Sequence, residues 1–237
     1  MTARAAAQCA WTNEAPSIVK SLILWGLMAF AVACGGVHPA FAHPHMYFDS
    51  TAQLVIDGEG RLARIHVVFL VDELNTLYTL TQLGARKRTH GRLSAAEKVK
   101  VEHSVYKGFT HYDFFTHLAD GNGTIALEKP GTMKVAMHGG RLGIAFDVPL
   151  AKPIDVAGRQ FALRLYDPTY FTAITLKSPP RLIGHGPHCA VQVIKAAQNH
   201  QKQRLQAFLA QLSREQTPNI SDVGGLFTDT ARLTCRK

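Results

Sequence analysis

The stretch that decides the fold is residues 45–71, HMYFDSTAQLVIDGEGRLARIHVVFLV. Its first half alternates side chains between two faces and is rich in β-branched and aromatic residues, a pattern that predicts a β-strand. Residues 57–60 hold two glycines, which supply the positive φ that a tight hairpin turn demands. Arg61–Val71 then returns as a second strand with His66 on its less apolar face. We therefore expect an antiparallel hairpin.

Two helices are expected directly after this hairpin. Asp72 and Glu73 precede a short helical pattern, and carboxylates suit a helix N-terminus because its unpaired amides and dipole favour negative charge. Ser94 and Glu97 form a capping box, so a second helix begins there and is expected to end at Gly108. Together they give a helical insertion over about residues 72–108.

The remainder of the chain is mostly β-patterned. Turn signals at residues 120–123 and 139–140 indicate two further hairpins. Other strands are expected over residues 160–166, 171–176, 190–194 and 227–233. Apolar residues at helical spacing predict an amphipathic helix over about residues 196–213. The expected fold class is therefore α+β: a mainly antiparallel, sandwich-like β domain with a helical insertion after the first hairpin and one C-terminal amphipathic helix.

Residues 1–42 have the features of a secretory signal peptide: basic residues, an apolar run, and small residues at Ala40 and Ala42. The apolar run is too short to span a bilayer comfortably. We therefore expect cleavage after Ala42, a single periplasmic domain over residues 43–237, and membrane contact only through the signal peptide. Two alternatives stay open, which are a retained membrane anchor and lipoprotein processing at Cys34.

Export also decides how the cysteines and the charge are interpreted. Cys9 and Cys34 lie in the signal segment, which leaves Cys189 and Cys235 in the exported chain. Because the periplasm is oxidising, these two cysteines predict one disulfide bond. The net charge of +9 would suit an anionic partner. The charges are scattered apart from a basic run within residues 84–92, so no nucleic-acid partner is expected.

The expected start of the exported chain concentrates nitrogen ligands. Cleavage after Ala42 gives His43 a free α-amine, and His45 follows two residues later. Alternate residues of an extended chain share a face, so both imidazoles can reach one ion, and Pro44 stiffens the pair. Such ligands suit transition metals, with zinc as the expected ion and nickel, cobalt or copper as alternatives. The competing interpretation is a flexible terminus with two incidental histidines.

Asp72 and Glu73 are the expected acidic ligands. An antiparallel hairpin brings the end of its second strand close to the start of its first, where His45 lies. Plain capping of the following helix is the alternative for both carboxylates. Four further residues are expected in the wall of the site: Asp49, His66, Asp167 and Tyr170. His66 has a second interpretation as an ordinary surface histidine.

No catalytic constellation is present in the sequence. It contains no phosphate-binding glycine loop, serine elbow, pair of CxxC motifs or HExxH motif. The protein is therefore not expected to be an enzyme by any of these mechanisms.

Four segments carry a resemblance to a known family. They are His43-Pro44-His45 with Asp49, residues 69–73, residues 109–115, and the run Tyr166-Asp167-Pro168-Thr169-Tyr170-Phe171. Together they resemble domain-of-unknown-function family 1007, whose members are exported bacterial proteins labelled as a periplasmic component of an uncharacterised ABC-type transport system. The resemblance covers essentially all of the expected exported chain. It implies a role in transition-metal handling, with an inner-membrane metal permease as the partner.

One departure from the family pattern concerns calcium. Many relatives carry an aspartate- and glycine-rich, calcium-loop-like segment where this chain has the basic residues 84–92, so no calcium site is expected there.

Two functions are considered. The first is a periplasmic metal-binding accessory protein of a zinc, nickel or cobalt transport system. The alternative is a copper enzyme or copper carrier that uses an N-terminal histidine brace at His43, which requires cleavage directly before that residue.

Overall fold

The expected hairpin lies at the centre of the larger of two sheets in the computed structural model, which describes residues 44–85, 91–184, 188–212, 216 and 218–237. β1 (Met46–Ile56) pairs antiparallel with β2 (Arg61–Val71), and Phe48 lies opposite Val71. The turn between them is confirmed. Of its two glycines only Gly60 has a positive φ, of 78°.

Two helices follow the hairpin, as predicted. α1 (Glu73–Gln82) begins at the N-cap Asp72, and α2 (Ala95–Thr110) begins at Ser94, where the capping box with Glu97 is confirmed. The expected end at Gly108 is wrong, because α2 continues to Thr110. Phe109 is 8% exposed and packs against Phe48 and Phe69, so its burial offsets the conformational cost of a glycine in the last turn.

The larger sheet adds four strands to the hairpin, namely β5 (Met133–His138), β6 (Arg141–Asp155), β8 (Thr172–Leu176) and β9 (Arg181–Ile183). Its strand order is β5–β6–β2–β1–β8, and β9 also pairs with β1. The pairings among β5, β6, β2 and β1 are antiparallel, whereas β8 and β9 run parallel to β1. Met46 lies opposite Thr172, so the start of β8 lies beside the start of β1.

The smaller sheet contains β3 (Thr116–Asp120), β4 (Gly123–Thr124), β7 (Gln160–Leu165), β10 (Cys189–Ile194) and β11 (Thr230–Cys235). Its strand order is β10–β11–β7–β3–β4, and its pairings are antiparallel. Cys189 lies directly opposite Cys235, with Cα atoms 4.0 Å apart, and the two form a disulfide bond. The predicted disulfide is confirmed.

One hydrophobic core takes side chains from both sheets and from α2. Aromatic rings fill its centre, with neighbouring centroids 4.8 to 6.2 Å apart, and the residues are Phe48, Phe69, Phe109, Phe115 and Phe146. The α+β sandwich class with a helical insertion is therefore confirmed. In the described part of the chain, no helix is long and apolar enough to cross a membrane.

The C-terminal helix is shorter than the pattern indicates. α3 (His200–Leu209) begins after the N-cap Asn199, whose side chain accepts a hydrogen bond from the Lys202 amide. Leu209 packs with Tyr170 and Val223 in a second, smaller apolar cluster. The last strand also begins later than residue 227, because Phe227 stacks on Tyr170 instead, with ring centroids 4.4 Å apart.

Candidate functional site

The start of β1 is fixed from two sides, and His45 lies at this point. On one side the amides of His45 and Met46 donate to the carbonyl oxygen of Phe171, at 2.8 and 3.2 Å. On the other side the carbonyl oxygen of His45 accepts a hydrogen bond from Asn75 Nδ2 at 3.0 Å. The His45 ring is half-buried and packs on Phe171, with centroids 4.8 Å apart. His43, the other predicted nitrogen ligand, lies outside the described residues.

Asp72 joins β1, β2 and α1 through its carboxylate. Oδ1 accepts the Asn75 amide at 2.9 Å, while Oδ2 accepts the Tyr47 amide at 3.1 Å and Asn75 Nδ2 at 2.8 Å. Burial alone would raise the pKa of Asp72, but these hydrogen bonds outweigh it and hold the pKa below its ordinary value. The capping role left open by the sequence is confirmed for Asp72, and the expected closeness to the start of β1 is confirmed with it.

Glu73, the first residue of α1, has an exposed side chain. Its carboxylate takes no part in the cap, which belongs to Asp72. It lies at the mouth of a cavity of about 660 Å³ that follows α1, together with Leu77, Leu80 and the turn Gly139–Gly140. Of the two predicted acidic ligands, Glu73 is therefore the one whose oxygens are available to an incoming ligand.

Asp167 builds the loop that carries Phe171. Its side chain is only 2% exposed; Oδ1 accepts the amide and hydroxyl of Thr169 at 2.8 and 2.7 Å, and Oδ2 accepts the Thr172 amide at 2.9 Å. Thr172 opens β8 directly opposite Met46. Asp167 therefore sets the position of the strand that flanks the start of β1, which makes it architectural at the candidate site.

Tyr170 closes the same loop against the C-terminal segment. Its backbone φ is 59°, its side chain is 8% exposed, and its ring stacks on Phe227. Its hydroxyl accepts a hydrogen bond from Gln206 Nε2 at 3.4 Å. Burial, and next the neighbouring Tyr47 on β1, raise the pKa of Tyr170. Tyr170 therefore lies near β1 as a neutral, packed side chain.

Asp49 belongs to an ion-pair network on the same sheet. Its carboxylate lies 2.8 Å from Arg141 Nη1 and 3.5 Å from Lys177 Nζ. Arg141 also donates to the carbonyl oxygens of Leu70 and Val71, both at the end of β2. Burial would raise the pKa of Asp49, but Arg141 and then Lys177 lower it further than burial raises it. Asp49 and Arg141 thus link β1, β2 and β6.

His66 lies away from this end of the sheet. It pairs across β1 with Gln53, eight positions along the strand from His45, which corresponds to about 27 Å at the usual rise of a strand. Its Nδ1 is 2.9 Å from Asp147 Oδ1, in a partly exposed pair. The structure therefore favours the interpretation of His66 as a surface histidine.

Two residues at the site escape sequence reasoning, namely Asn75 and Phe171. Asn75 stands three positions after Asp72, a spacing typical of side-chain contacts in a first helical turn, and this signal could have been used. Phe171 ends a segment that carries the family resemblance, but nothing local marks it as a contact of His45, which is 126 positions away in the sequence. Within residues 44–85, 91–184, 188–212, 216 and 218–237, no three His, Cys, Asp or Glu side chains are grouped so that they could hold a metal ion.

A family model described as "Protein of unknown function (DUF1007)" matches residues 28–235 of the chain. The chain belongs to this family. An uncharacterized protein of Haemophilus influenzae is similar to this DUF1007 protein, with 26% identity over 222 residues, which covers 91% of the chain and 98% of that relative. The resemblance expected from the four sequence segments is confirmed.

The geometry gives this DUF1007 protein a rigid platform for the residues just before β1. Phe171, Asn75 and Asp72 together hold the backbone of residues 45–47. A short peptide that emerges from a fixed point loses less conformational freedom when it binds a ligand than a free terminus does. The backbone at His45 is therefore held in place, and Glu73 is exposed on the adjacent helix α1.

Proposed function

We propose that this protein is a periplasmic, transition-metal-binding accessory protein of a metal transport system of the zinc, nickel or cobalt class. The observation that carries the proposal is the fixed start of β1, where His45 is held between Phe171 and Asn75 and the first residues of α1 lie alongside. His43 and His45 supply the nitrogen ligands, and an inner-membrane metal permease is the partner.

The disulfide bond supports the compartment in this proposal. Cys189 and Cys235 are oxidised, and disulfides persist mainly in oxidising compartments such as the periplasm. The N-terminal segment, with its apolar run and its small residues before His43, supports export by the same route. Export then places the metal-binding terminus on the outer side of the inner membrane.

The carboxylate of the proposed site is Glu73 rather than Asp72. Both Asp72 oxygens already accept hydrogen bonds in the helix cap, and a metal ion would have to displace them. Glu73 is exposed and takes no part in the cap. Two neutral imidazoles and one carboxylate are a set of ligands that suits zinc and leaves one position for water or for exchange to a partner.

Calorimetric titration with zinc, nickel and copper tests the site. We expect zinc binding by the exported protein and its loss in the double variant His43→Ala/His45→Ala. His103→Ala, which removes an exposed histidine of α2, is the matched control and should bind like the unaltered protein. Zinc affinity that is the same in the double variant and the control would contradict the proposal.

Two further titrations distinguish the ligands and the ion. Glu73→Gln should weaken zinc binding more than Asp72→Asn, since only the former removes an available carboxylate.

Zinc affinity should also fall as the pH drops through the histidine range, because imidazole must be deprotonated to coordinate a metal. A strong preference for copper that depends on a chain beginning at His43 would instead favour the copper enzyme or carrier.

A further inference from the structure

Each of the two sheets has two edges, and three of these four edges are protected in ways that prevent unwanted pairing with another strand. α2 packs along β5, where the Glu102 carboxylate accepts the Val135 amide at 3.2 Å. Pro179 and Pro180 interrupt the edge between β8 and β9. β4 is only two residues long. The fourth edge is β10, which has none of these protections within the described part of the chain.

β10 has the composition of an interior strand although it lies at an edge. Its sequence, CAVQVI, contains no proline and no charged side chain, and none of its six residues is fully buried. Cys189 and Val191 pack partly against the hydrophobic core, whereas Ala190 and Gln192 are exposed. The strand therefore has an apolar inward side and a polar outward side, and among the described residues it has a neighbouring strand on one edge only.

The backbone of β10 presents hydrogen-bonding groups at this free edge. On β11, the Cys235 amide donates to the carbonyl oxygen of Arg159 at 3.0 Å, so the backbone groups of Cys235 face β7. Cys235 and the opposite residue Cys189 therefore do not hydrogen-bond to each other. Since this direction alternates along a strand, the amides and carbonyl oxygens of Cys189, Val191 and Val193 point away from β11. No described residue bonds to them there.

The surroundings of the free edge are basic. Residues 188–195 and 230–237, which contain β10 and β11, hold no Asp or Glu and four exposed Lys or Arg side chains. These are Lys195, Arg232, Arg236 and Lys237. Lys195 pairs with Asp229 at 2.8 Å, and the other three form no ion pair with the described residues. Pairing of two β10 strands would bring the basic residues of two copies together, so charge disfavours a second copy and favours an acidic partner.

We propose that β10 binds an extended segment of an acidic partner protein, which adds a strand to the smaller sheet. Main-chain hydrogen bonds to Val191 and Val193 supply affinity, and apolar side chains at alternate positions of the segment continue the inward face of the sheet. Arg232 and Arg236 lie two strand spacings from the added strand, about 10 Å, which is within the range of electrostatic attraction at low salt. The surface uses none of the residues of the proposed metal site, so the two proposals can fail separately.

Defined peptides test this proposal, with chelator present so that metal plays no part. The probe is a fluorescein-labelled nine-residue peptide with valine at alternate positions, threonine between them and glutamate at both ends. We expect fluorescence anisotropy at low salt to show binding in the micromolar range. The same peptide with lysine at both ends should bind about tenfold more weakly or worse. The glutamate peptide N-methylated at each internal residue should not bind, because it cannot donate main-chain hydrogen bonds.

Variants of β10 separate backbone pairing from side-chain contact. Val191→Pro removes an amide that points to the free edge and leaves the hydrogen bonds to β11 in place. It should raise the dissociation constant of the glutamate peptide about tenfold or more. Val191→Thr keeps the amide and the branched shape, so it is the matched control and should bind like the unaltered protein. Circular dichroism checks that both variants are folded, and the N-methylated peptide decides the same question with the protein unaltered.

A charge reversal identifies the kind of partner. Arg232→Glu/Arg236→Glu should reverse the preference, so that the lysine peptide binds more tightly than the glutamate peptide. Light scattering of the unaltered protein should give the mass of one chain. Four outcomes would each overturn the proposal. They are no binding of the glutamate peptide, equal binding of its N-methylated form, an unchanged preference in the charge-reversed variant, and a mass of two chains that Val191→Pro reduces to one.

Discussion

Asp72 shows how one side chain can hold three segments of chain together. It caps α1, follows the last residue of β2, and accepts the amide of Tyr47 in β1. A helix N-cap alone stabilises a protein by about 1 kcal/mol. Because Asp72 also ties down the start of β1, its loss affects the position of His45 as well as the helix.

We expect Asp72→Ala to lower the free energy of unfolding by about 1–2 kcal/mol at neutral pH, through loss of the cap and of the partner of the Tyr47 amide. The effect depends on pH with a defined sign. Since the pKa of Asp72 is depressed in the folded state, its contribution is present above the pKa of an unfolded aspartate and is lost as the pH falls through the lower, folded value.

Urea unfolding of both proteins at neutral pH and near pH 2 measures this difference. The difference in the free energy of unfolding between the unaltered protein and Asp72→Ala should become smaller in acid, because the carboxylate of Asp72 becomes protonated there. Asp57→Ala provides a comparison, because Asp57 is another aspartate with a lowered pKa but lies in the turn between β1 and β2. A gap of the same size for Asp72→Ala at both pH values would show that its charge contributes nothing.

At the scale of elements, the sequence predicted those structures that depend on contacts between residues close together in the chain. The β1–β2 hairpin and the Ser94–Glu97 capping box depend on residues a few positions apart, and both are confirmed. The parallel pairing of β8 and β9 with β1 depends on contacts more than a hundred positions apart. The sequence pattern of β8 does not indicate which strand it pairs with, so its parallel pairing with β1 could not be predicted.

The turn Val223–Leu226 supports the Tyr166–Phe171 loop through a close approach of two backbones. A Cβ atom on Gly224 would lie 1.8 Å from the carbonyl oxygen of Asp167, a distance that no side chain permits. Gly224→Ala should therefore force the turn off the loop and lower the free energy of unfolding by about 1–3 kcal/mol or more. Gly131→Ala is the matched control, because a Cβ atom there meets nothing within 4 Å.

Chemical unfolding measures both glycine variants. A stability for Gly224→Ala equal to that of Gly131→Ala would show that the turn can move away from Asp167 without cost. If the turn is displaced, Tyr170 also loses its stacking contact with Phe227, and near-ultraviolet circular dichroism should change in the tyrosine region. That spectral change separates a displaced turn from a general loss of stability.

At the scale of the whole molecule, the sequence predicted the sandwich fold and which segments lie near the site. It did not predict the contacts that hold the start of β1 in place. Antiparallel pairing alone required the end of β2 to lie near the start of β1, which placed Asp72 close to His45. The role of Asp72 could not be decided from sequence, since a cap and a ligand use the same carboxylate. His66 also lies on β2, but at the usual rise of a strand it is too far along β2 to reach the end that Asp72 follows.

The disulfide bond fixes the C-terminal quarter of the molecule to its own last strand. Among the described residues, β10 lies at the edge of the smaller sheet and pairs with β11 alone. The bond between Cys189 and Cys235 closes a segment that contains α3 and the Val223–Leu226 turn. In the chain-entropy model, a cross-link between residues 46 positions apart stabilises the folded state by about 4 kcal/mol. The double variant Cys189→Ala/Cys235→Ala should lose stability on this scale. Because the closed segment supplies Val223 and Phe227 to the cluster around Tyr170, the variant should also loosen the loop beside His45.

Denaturant unfolding of the double variant, and of the unaltered protein with and without reductant, measures this contribution. Reduction should bring the unaltered protein to the stability of the variant, because both then lack the same constraint on the unfolded chain. Thiol labelling of the unfolded, unreduced protein, with the labelled positions located by mass spectrometry, is the independent check. Cys189 and Cys235 should both remain unlabelled. Label at either cysteine, or a variant as stable as its parent in the absence of reductant, would show that the bond does not form or does not stabilise the fold.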